Sequence, residues 1–324
     1  MTGWLVVNGF TNTEKFNTLF SMFEDAAKVK GIDLKRVKAT ELWLELAECQ
    51  NDINILYNEK CGAKHYKDRE WLSKKPDFIL FWDKDIRLAK VLEEGKVRVF
   101  NSSKAIALCD DKAETYLALR GLVRQPKTFI SAKQYRSCDN YDCYANAARN
   151  IGYPVIVKEC LGSFGAQVYK ASDESELIEI INNIEERSFI IQEYIKSEYQ
   201  KTVENNFEGK NTARDVRLQM VGKKCVAAML RTNPNDFRAN ITNGGDMEVY
   251  TPTRKQLEMA LKVMEALELD FAGIDILFDE FDEPVFCEAN SNAHFKNLYD
   301  CTEINTAEYI LDYVIDILES TMVY

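Results

Sequence analysis

The chain has 324 residues, of which 46% are hydrophobic and 29% charged, and its formal net charge is −11. This composition is typical of a globular protein with one or more buried cores. The acidity excludes a general nucleic-acid-binding surface, which requires a basic face. No apolar run approaches the ~20 residues that a membrane helix needs, so we expect neither a nucleic-acid partner nor a membrane.

The N-terminal sequence MTGWLVVNGF enters a strand directly and lacks the basic region and cleavage site of a signal peptide. The nine cysteines show no CxxC pairing, which favours free thiols in a reducing cytoplasm over a disulfide framework. Only two histidines, His65 and His294, are present, and a zinc site is therefore not expected. Together these features predict a cytoplasmic protein.

The first third of the chain alternates strands and helices. WLVVNG predicts a strand, and a helix follows to about Lys30; IDLKRVKA and a short helix come next. PDFILFWD predicts a buried strand, followed by a helix near Asp85–Glu94 and the strand VRVF. Such alternation is typical of a parallel sheet with helices on both faces. No GxGxxG follows the first strand, so no dinucleotide site is predicted there.

Residues 101–121 predict a loop and then a helix that is capped near Asp110 or Asp111. Lys112 falls in the first turn of this helix. A cation is unfavourable at the positive end of the helix dipole unless an anion lies beside it. On local grounds Lys112 is either a solvated lysine or an anion ligand.

From Pro126 onward the pattern predicts an α+β unit: strand, helix, strand, glycine loop, strand, helix and strand. Its centre reads PVIVKECLGSFGAQVYK, in which Lys158 ends an otherwise apolar strand and needs an anion nearby. Gly162, Ser163 and Gly165 follow in the loop. Backbone N–H groups of such a loop can face phosphate oxygens while the lysine supplies charge. A plain hairpin turn is the alternative.

A polar loop spans 197–213, and the strands DVRLQMV and KCVAAMLR follow it with a turn at Gly222. Asp215 lies in the first strand, Arg231 ends the second, and Arg238 lies in the loop beyond. We interpret both arginines as loop residues that can hold phosphate through two parallel hydrogen bonds. Amphipathic helices are predicted near 253–269 and 305–320.

Between these helices, FAGIDILFDEFDEPVFCEANSN predicts a hairpin of two antiparallel strands. Asp275 interrupts the first apolar run, and Glu288 and Asn290 share one face of the second. If the hairpin pairs Asp275 with Glu288, three oxygen-bearing side chains converge, as Mg²⁺ or Mn²⁺ requires. The alternative is a solvated face of an edge hairpin.

Taken together, these cations and carboxylates are the parts of a phosphoryl-transfer site. The segments that carry them are CDDK, PVIVKECLGSFGAQVY, QEYI, DVRLQMVGKKCVAAMLR, DFRAN with Gly244 and Gly245, and AGIDIL followed by CEAN. In this order they resemble the ATP-grasp superfamily, and within it the RimK-like carboxylate–amine ligases. The resemblance covers roughly two thirds of the chain, from about Asn101 to the C-terminus.

The resemblance implies an α/β protein with the ATP-grasp fold and three parts. These are a Rossmann-like N-terminal parallel α/β domain (1–110), a central α+β lobe with a glycine-rich lid (111–190) and a C-terminal α+β lobe with the metal site (191–324). It also implies ATP and Mg²⁺ or Mn²⁺ as cofactors. The implied ATP-binding residues are Lys112, Lys158, Gly162, Ser163, Gly165, Glu193, Tyr194, Asp215, Arg238, Ala239 and Asn240. The implied metal ligands are Asp275, Glu288 and Asn290, and the implied catalytic residues are Lys158, Arg231 and Arg238.

The implied reaction is amide-bond formation through an acyl phosphate, on an amino acid, peptide or protein. One alternative is a ligase that closes amides or esters in a ribosomal precursor peptide; another is a non-catalytic ATP-binding regulator. After the last metal ligand many relatives continue with a small residue and then Pro-Gly, whereas this chain reads Ser291-Asn292-Ala293-His294-Phe295. This departure leaves the added amine and the role of His294 open. The long 197–213 loop is a second departure, and its role is open as well. The sequence also leaves a homo-oligomeric state open. We expect Asp275→Ala or Glu288→Ala to abolish turnover without disturbing the fold.

Overall fold

The computed structural model describes residues 1–10, 13–46, 53–57, 70–71, 75–133, 141–162, 165–184, 188–199, 212–239 and 244–322. These residues form a mixed α/β fold with four sheets, as the sequence predicts. No helix in this part of the chain has the length and apolarity to cross a membrane.

The N-terminal sheet is parallel, with the strand order β2-β1-β6-β7. Its described elements, with a small second sheet inserted between them, are β1 (Thr2–Val7), α1 (Glu14–Val29), β2 (Asp33–Lys38), β3 (Leu42–Leu46), β4 (Ile53–Tyr57), β5 (Glu70–Trp71), β6 (Phe78–Trp82), α2 (Ile86–Glu94) and β7 (Arg98–Phe100). Every residue of β6 is buried, because both faces of a parallel sheet are covered.

The insertion corrects one prediction. In place of a short helix after β2, the chain makes a single 3-10 turn at Ala39–Glu41 and then the antiparallel sheet β3-β4-β5. The first strand, LWLEL, has leucine at every second position, which is the strand period rather than the helical one.

Residues 101–121 hold two helices, α3 (Ser103–Asp110) and α4 (Lys112–Ala118), where we predicted a loop and one helix. Ser102 caps the first helix. The side chain of Asp111 accepts hydrogen bonds from Ala113 N and Glu114 N and so caps the second. The predicted cap is thus present, and it fixes Lys112 as the first residue of α4.

The central sheet is antiparallel, with the order β10-β9-β11-β8. Its elements are β8 (Thr128–Ile130), α5 (Asp142–Ile151), β9 (Val155–Glu159), β10 (Val168–Ala171), α6 (Glu174–Asn183) and β11 (Phe189–Glu193). The two helices cover one face, where Ala148, Val157, Leu177 and Phe189 form the core.

The C-terminal sheet has the order β15-β14-β13-β16-β17, with β12 also paired to β13. Its elements, with the helices that cover it, are β12 (Glu198–Tyr199), β13 (Thr212–Val221), β14 (Lys224–Asn233), β15 (Asp246–Val249), α7 (Arg254–Ala266), β16 (Phe271–Phe278), β17 (Pro284–Asn290), α8 (Lys296–Thr302) and α9 (Thr306–Met322). Of the 197–213 loop, residues 200–211 lie outside the described part of the chain.

The N-terminal and C-terminal sheets share one hydrophobic core. Phe23 and Trp82 from the first region pack in a single cluster with Phe271, Phe295 and Leu311 from the last, and the Trp82 and Phe271 rings stack with centroids 5.6 Å apart. This packing fixes the N-terminal helix against the segment that follows β17, and it thereby sets one wall of the cleft described next.

Candidate functional site

A cleft with a volume of about 250 Å³ lies between the central sheet, the C-terminal sheet and the start of α1. Among the described residues that line it, eight are Lys or Arg and four are Asp or Glu. A cleft of positive balance in a protein with a net charge of −11 favours an anionic ligand, because low-dielectric walls strengthen its local field.

The carboxylate hairpin forms as predicted. β16 and β17 pair antiparallel, with Asp275 opposite Glu288 and Gly273 opposite Asn290. A register shift follows Asp275, as a β-bulge would produce. All three predicted metal ligands line the cleft.

Asp275 is not an isolated carboxylate. Its Oδ1 and Oδ2 atoms accept hydrogen bonds of 2.7 Å each from Arg217, and Oδ2 also lies 3.0 Å from Arg231 Nη2. Arg231 in turn donates to both oxygens of Asp215 at 2.6 and 2.8 Å. Burial disfavours the charged form of Asp275, but the two arginines outweigh burial and hold its pKa below the ordinary value.

This network corrects the position that we assigned to Arg231. It lies within β14, not in a loop, and only 3% of its surface is exposed. Arg217 of β13 was not among our candidate site residues, although its side chain is more exposed than that of Arg231 and lines the same cleft. Its spacing of two from Asp215 placed both on one face of a strand, which was the signal available in the sequence.

Two lysines, Lys112 of α4 and Lys158 of β9, line the cleft and interact electrostatically with Glu288. Lys112 is 9% exposed and its Nζ lies 3.5 Å from the Gly162 carbonyl oxygen. Burial lowers the pKa of Lys112, and repulsion from Lys158 adds to this effect, whereas Glu288 opposes it. Neither lysine makes a salt bridge to another described residue. Their charges are therefore available to a ligand.

Tyr116 holds these groups in place. Its hydroxyl donates to the Cys287 carbonyl oxygen at 2.7 Å and lies 3.5 Å from Lys158 Nζ. Because Cys287 precedes Glu288, this hydrogen bond links α4 to the carboxylate hairpin. The contact sets the separation between Lys158 and Glu288.

The glycine loop is attached to the C-terminal sheet by Arg238. Its Nη1 atom donates to the Gly165 carbonyl oxygen at 2.7 Å, while Asp236 binds the rest of its guanidinium. Gly162 and Gly165 have φ angles of +147° and +71°, a region that other residues rarely adopt. Ser163, which we placed in this loop, lies outside the described residues, as does Asn240.

The remaining predicted nucleotide contacts also line the cleft. Glu193 accepts a hydrogen bond from the Lys127 backbone at 3.1 Å. Lys170 Nζ lies 4.1 Å from the centre of the Tyr194 ring, and Ala239 is buried beside the loop. These contacts position the end of β11 at the mouth of the cleft.

On the side of the N-terminal helix, the cleft includes residues that sequence reasoning missed or left open. His294 Nε2 lies 3.2 Å from the Lys15 carbonyl oxygen, and the Phe16 ring meets the His294 ring edge-on at 5.0 Å. Burial lowers the pKa of His294 to about 4, and repulsion from the Lys15 ammonium adds to it. Phe20 and Phe23 of this helix are buried in the core, but Phe16 lines the cleft.

The donor set of Asp275, Glu288 and Asn290 fits a hard divalent cation. All three offer oxygen, the ligand atom that Mg²⁺ and Mn²⁺ prefer. Asp275 accepts three contacts from arginines and keeps lone-pair capacity for a fourth partner. The Nδ2 atom of Asn290 is buried and has no hydrogen-bond partner among the described residues. No hydrogen bond from this atom therefore holds the amide away from a metal ion. No cluster of three or more His, Cys, Asp or Glu suited to a metal occurs in the described ranges. The candidate metal site has only two carboxylates, Asp275 and Glu288, so it needs the Asn290 amide as its third ligand.

Residues 109–314 match the model of the RimK-like ATP-grasp domain. The chain belongs to the RimK-like ATP-grasp family. It is therefore an ATP-dependent carboxylate–amine ligase, and the family uses a divalent metal with the nucleotide.

Three relatives are similar over most of this chain. The MG012 homolog of Mycoplasma pneumoniae, a protein of uncharacterized function, is 32% identical over 79% of this chain and 86% of its own length. The glutamate–LysW ligase ArgX of Sulfolobus acidocaldarius is 30% identical over 69% of this chain and 75% of its own. The β-citrylglutamate synthase B of Danio rerio is 29% identical over 74% of this chain but only 56% of its own.

Solved structures show the same fold at low sequence identity. D-alanyl-alanine synthetase A of Vibrio cholerae superposes with a TM-score of 0.69 at 13% identity, over 98% of both chains. The ATP-grasp ligase PsnB, solved with a precursor peptide and AMPPNP, gives 0.66 at 14% identity over 98% of each chain. These matches confirm the fold class that the sequence predicts.

Proposed function

We propose that the cleft binds ATP with its triphosphate between Lys112, Lys158, the glycine loop and the carboxylate hairpin. The observation that carries this proposal is the convergence of three distant stretches on one cleft of positive balance. Lys112 and Lys158 make no salt bridge to another described residue, and both interact electrostatically with Glu288, the predicted carboxylate ligand that also makes none. Such an arrangement suits a phosphate chain that bridges lysines and a metal ion.

In the proposed reaction, an oxygen of the substrate carboxylate takes the γ-phosphoryl group and ADP leaves. An amine then attacks the acyl carbon; the C–N bond forms, the bond from carbon to the phosphate oxygen breaks and the amine loses a proton. Lys158 and Lys112 stabilise the charge of the transferring group. A divalent cation held by Asp275, Glu288 and Asn290, Mg²⁺ or Mn²⁺, would supply further charge neutralisation.

For the substrate-facing arginine we propose Arg217 in place of Arg231. Arg231 is buried between Asp215 and Asp275, which occupy its donors. Arg217 shares only Asp275 and is the more exposed of the two. Arg238 serves the glycine loop through Gly165, consistent with a role in closing the loop over ATP rather than in binding the carboxylate.

The proposed substrates are a carboxylate and an amine carried by amino acids or peptides. The relatives named glutamate–LysW ligase and β-citrylglutamate synthase support glutamate as the first amine to test. We further propose a cytoplasmic location, which the free thiols of six described cysteines support.

The test is ADP release with Mg²⁺ or Mn²⁺ against a matrix of carboxylates and amines that includes glutamate and short peptides. Each metal is tested separately. We expect ADP release to require one carboxylate and one amine together. Lys158→Met should abolish it, whereas Lys223→Met, an exposed lysine in the β13–β14 turn, should not. ATP binding without any stimulating pair would contradict the proposal.

A further inference from the structure

Arg217 and a metal ion need the same carboxylate. The Nε and Nη2 atoms of Arg217 each donate to an oxygen of Asp275 at 2.7 Å, and Arg231 adds a contact of 3.0 Å to Oδ2. A carboxylate has about four lone-pair sites, so guanidinium groups take up most of the capacity of Asp275. A cation that coordinates Asp275 therefore meets two positive side chains at its own ligand.

Of these two arginines, Arg217 is the one that can give way. Arg231 is held from its other side by Asp215, through hydrogen bonds of 2.6 and 2.8 Å, and its side chain is 4% exposed. Arg217 has no salt bridge to a described residue other than Asp275, and its side chain is 17% exposed and lines the cleft. Displacement of Arg231 would leave Asp215 buried and uncompensated, whereas displacement of Arg217 moves its guanidinium into the cleft.

The side chain of Arg217 lies over the hairpin that carries the candidate metal ligands. Arg217 of β13 is opposite Asp275 of β16. Its Cδ and Nε atoms lie 3.6 Å from the position that a Cβ atom would take at Gly273, and Gly273 is opposite Asn290. Since Gly273 and Asp275 lie on one face of the strand, Arg217 extends across the face that carries the candidate donor set.

The charges in this part of the cleft oppose the binding of a cation by itself. Within the network on β13, β14 and β16, two arginines cancel two aspartates. The other candidate carboxylate ligand, Glu288, is outnumbered by Lys112 and Lys158. A divalent cation therefore enters a site of positive balance, where Coulomb repulsion weakens its binding. A triphosphate brings negative charge to the same cleft and removes this repulsion.

We propose that Arg217 competes with the divalent cation for Asp275, so that the site disfavours a free cation and accepts one together with the nucleotide. When both bind, Arg217 gives up Asp275 and pairs with an anionic group in the cleft. The inference rests on the proposed function, because it concerns the metal ligands of that same site. It assigns to Arg217 a control over metal binding that is separate from any contact with substrate.

The first probe is Mn²⁺ alone, added to the protein without nucleotide, with free Mn²⁺ measured by electron paramagnetic resonance. Arg217→Gln should lower the Kd of Mn²⁺ by about tenfold or more, because the cation no longer competes with two charge-assisted hydrogen bonds. The matched control is Arg124→Gln, since Arg124 pairs with Asp279 at the turn of the same hairpin, and its Kd should equal that of the wild type. A thermal melt verifies the folding of each variant.

The same titration in the presence of a saturating, non-hydrolysable ATP analogue tests the dependence on nucleotide. Here Arg217→Gln should change the Kd of Mn²⁺ by less than about threefold, because the triphosphate already offsets the charge of the guanidinium group. The quantity to compare is the ratio of the wild-type Kd to the variant Kd, with and without the analogue.

Chemical modification follows Arg217 itself in the wild-type protein. Phenylglyoxal reacts with accessible guanidinium groups, and peptide mass spectrometry reports the adduct at each arginine. Saturating Mn²⁺ should make Arg217 react faster, because the cation displaces it from Asp275, while Arg124 reacts at the same rate with and without Mn²⁺. Glu288→Gln, which removes another candidate metal ligand, should abolish the acceleration at Arg217.

Equal Kd values of Mn²⁺ for the wild type and Arg217→Gln, the same Kd ratio with and without the analogue, or a reactivity of Arg217 that Mn²⁺ does not raise would each overturn the inference. If Glu288→Gln abolishes Mn²⁺ binding in such a case, the metal site of the proposed function stands. Mn²⁺ binding that neither Arg217→Gln nor Glu288→Gln alters would refute that metal site as well.

Discussion

On β13, β14 and β16 the charged side chains of the cleft are paired with one another, whereas Lys158 of β9, Lys112 of α4 and Glu288 of β17 make no salt bridge to a described residue. The first group is Arg217, Asp275, Arg231 and Asp215, joined by contacts of 2.6 to 3.0 Å. In the second group, the contacts of Lys112 and Lys158 with protein oxygens are 3.5 Å long.

This difference separates two kinds of charge in one site. Charges that are paired within the protein contribute to its stability, and removal of one partner leaves the other buried and uncompensated. Charges that await a ligand contribute to binding, and their removal leaves the fold unharmed. Asp275 belongs to both groups, because it is a candidate metal ligand that also completes the arginine network.

The largest effect is expected from Asp275→Ala. It removes a candidate metal ligand and leaves Arg217 and Arg231 without one of their partners, so turnover is lost and the free energy of unfolding falls by about 3–5 kcal/mol. Urea denaturation and ADP release measure the two effects. This prediction differs from our sequence-based expectation of an intact fold. An unchanged urea midpoint would show that the arginine–aspartate network adds nothing to stability.

Glu288→Gln provides the contrast on the neighbouring strand. The glutamate makes no salt bridge to another described residue, so we expect turnover to fall by about a hundredfold or more with no change in melting temperature. Glu280→Gln, an exposed glutamate beside the turn of the same hairpin, is the matched control for activity. A large loss of stability in Glu288→Gln would place this residue in the paired group.

Lys158→Met tests a cation that makes no salt bridge to a described residue. We expect the Kd for ATP to rise by about tenfold or more, together with the loss of turnover, because a charge-assisted contact to phosphate is lost. The melting temperature should change little, since Lys158 makes no salt bridge to a described residue. A fall in melting temperature beyond that of Lys223→Met would contradict the distinction between the two groups.

His294, at the end of the cleft beside α1, should make the free energy of unfolding depend on pH. Its pKa in the folded protein is about 4, below the ordinary value, because of burial and the Lys15 charge. Between pH 6.5 and pH 4 the unfolded chain binds a proton at His294 that the folded protein does not bind. The free energy of unfolding therefore falls as the pH falls through this window, and the contribution of His294 is fully present above pH 6.5. After allowance for solvent screening, we expect a loss of about 1–2 kcal/mol.

Urea denaturation at pH 7 and pH 5 measures this loss. His294→Gln should remove the contribution of this ring to the pH dependence. The other histidine, His65, is present in both proteins, so the difference between them reports on His294. Identical pH dependence in the two proteins would show that His294 titrates normally.

The smallest effect is expected from Tyr116→Phe, which removes the hydrogen bond to the Cys287 carbonyl oxygen. We expect the free energy of unfolding to fall by about 1 kcal/mol and the KM for ATP to change little. Thermal melts and initial rates measure both. An activity loss as large as that of Glu288→Gln would mean that the hydroxyl contacts the nucleotide.

Much of the fold could be predicted from the sequence because its signals are local. Two apolar runs, Phe271–Phe278 and Pro284–Asn290, with an acidic turn between them gave the hairpin, and the short turn gave the pairing of Asp275 with Glu288. The Asp111 cap gave the start of α4. The failures were also local: the inserted sheet after Lys38 was interpreted as a helix, and α3 as a loop, because short segments carry few periods of either pattern.

The sequence by itself determined the kinds of side chain that the cleft carries and the strand faces on which they lie, because spacing along a helix or strand sets direction. Only the tertiary structure decided which charges neutralise one another and which remain for a ligand. Arg231 is buried against Asp215, whereas Lys158 makes no salt bridge to a described residue. Pairing of this kind depends on distance and burial across separate elements, and no local pattern encodes either quantity.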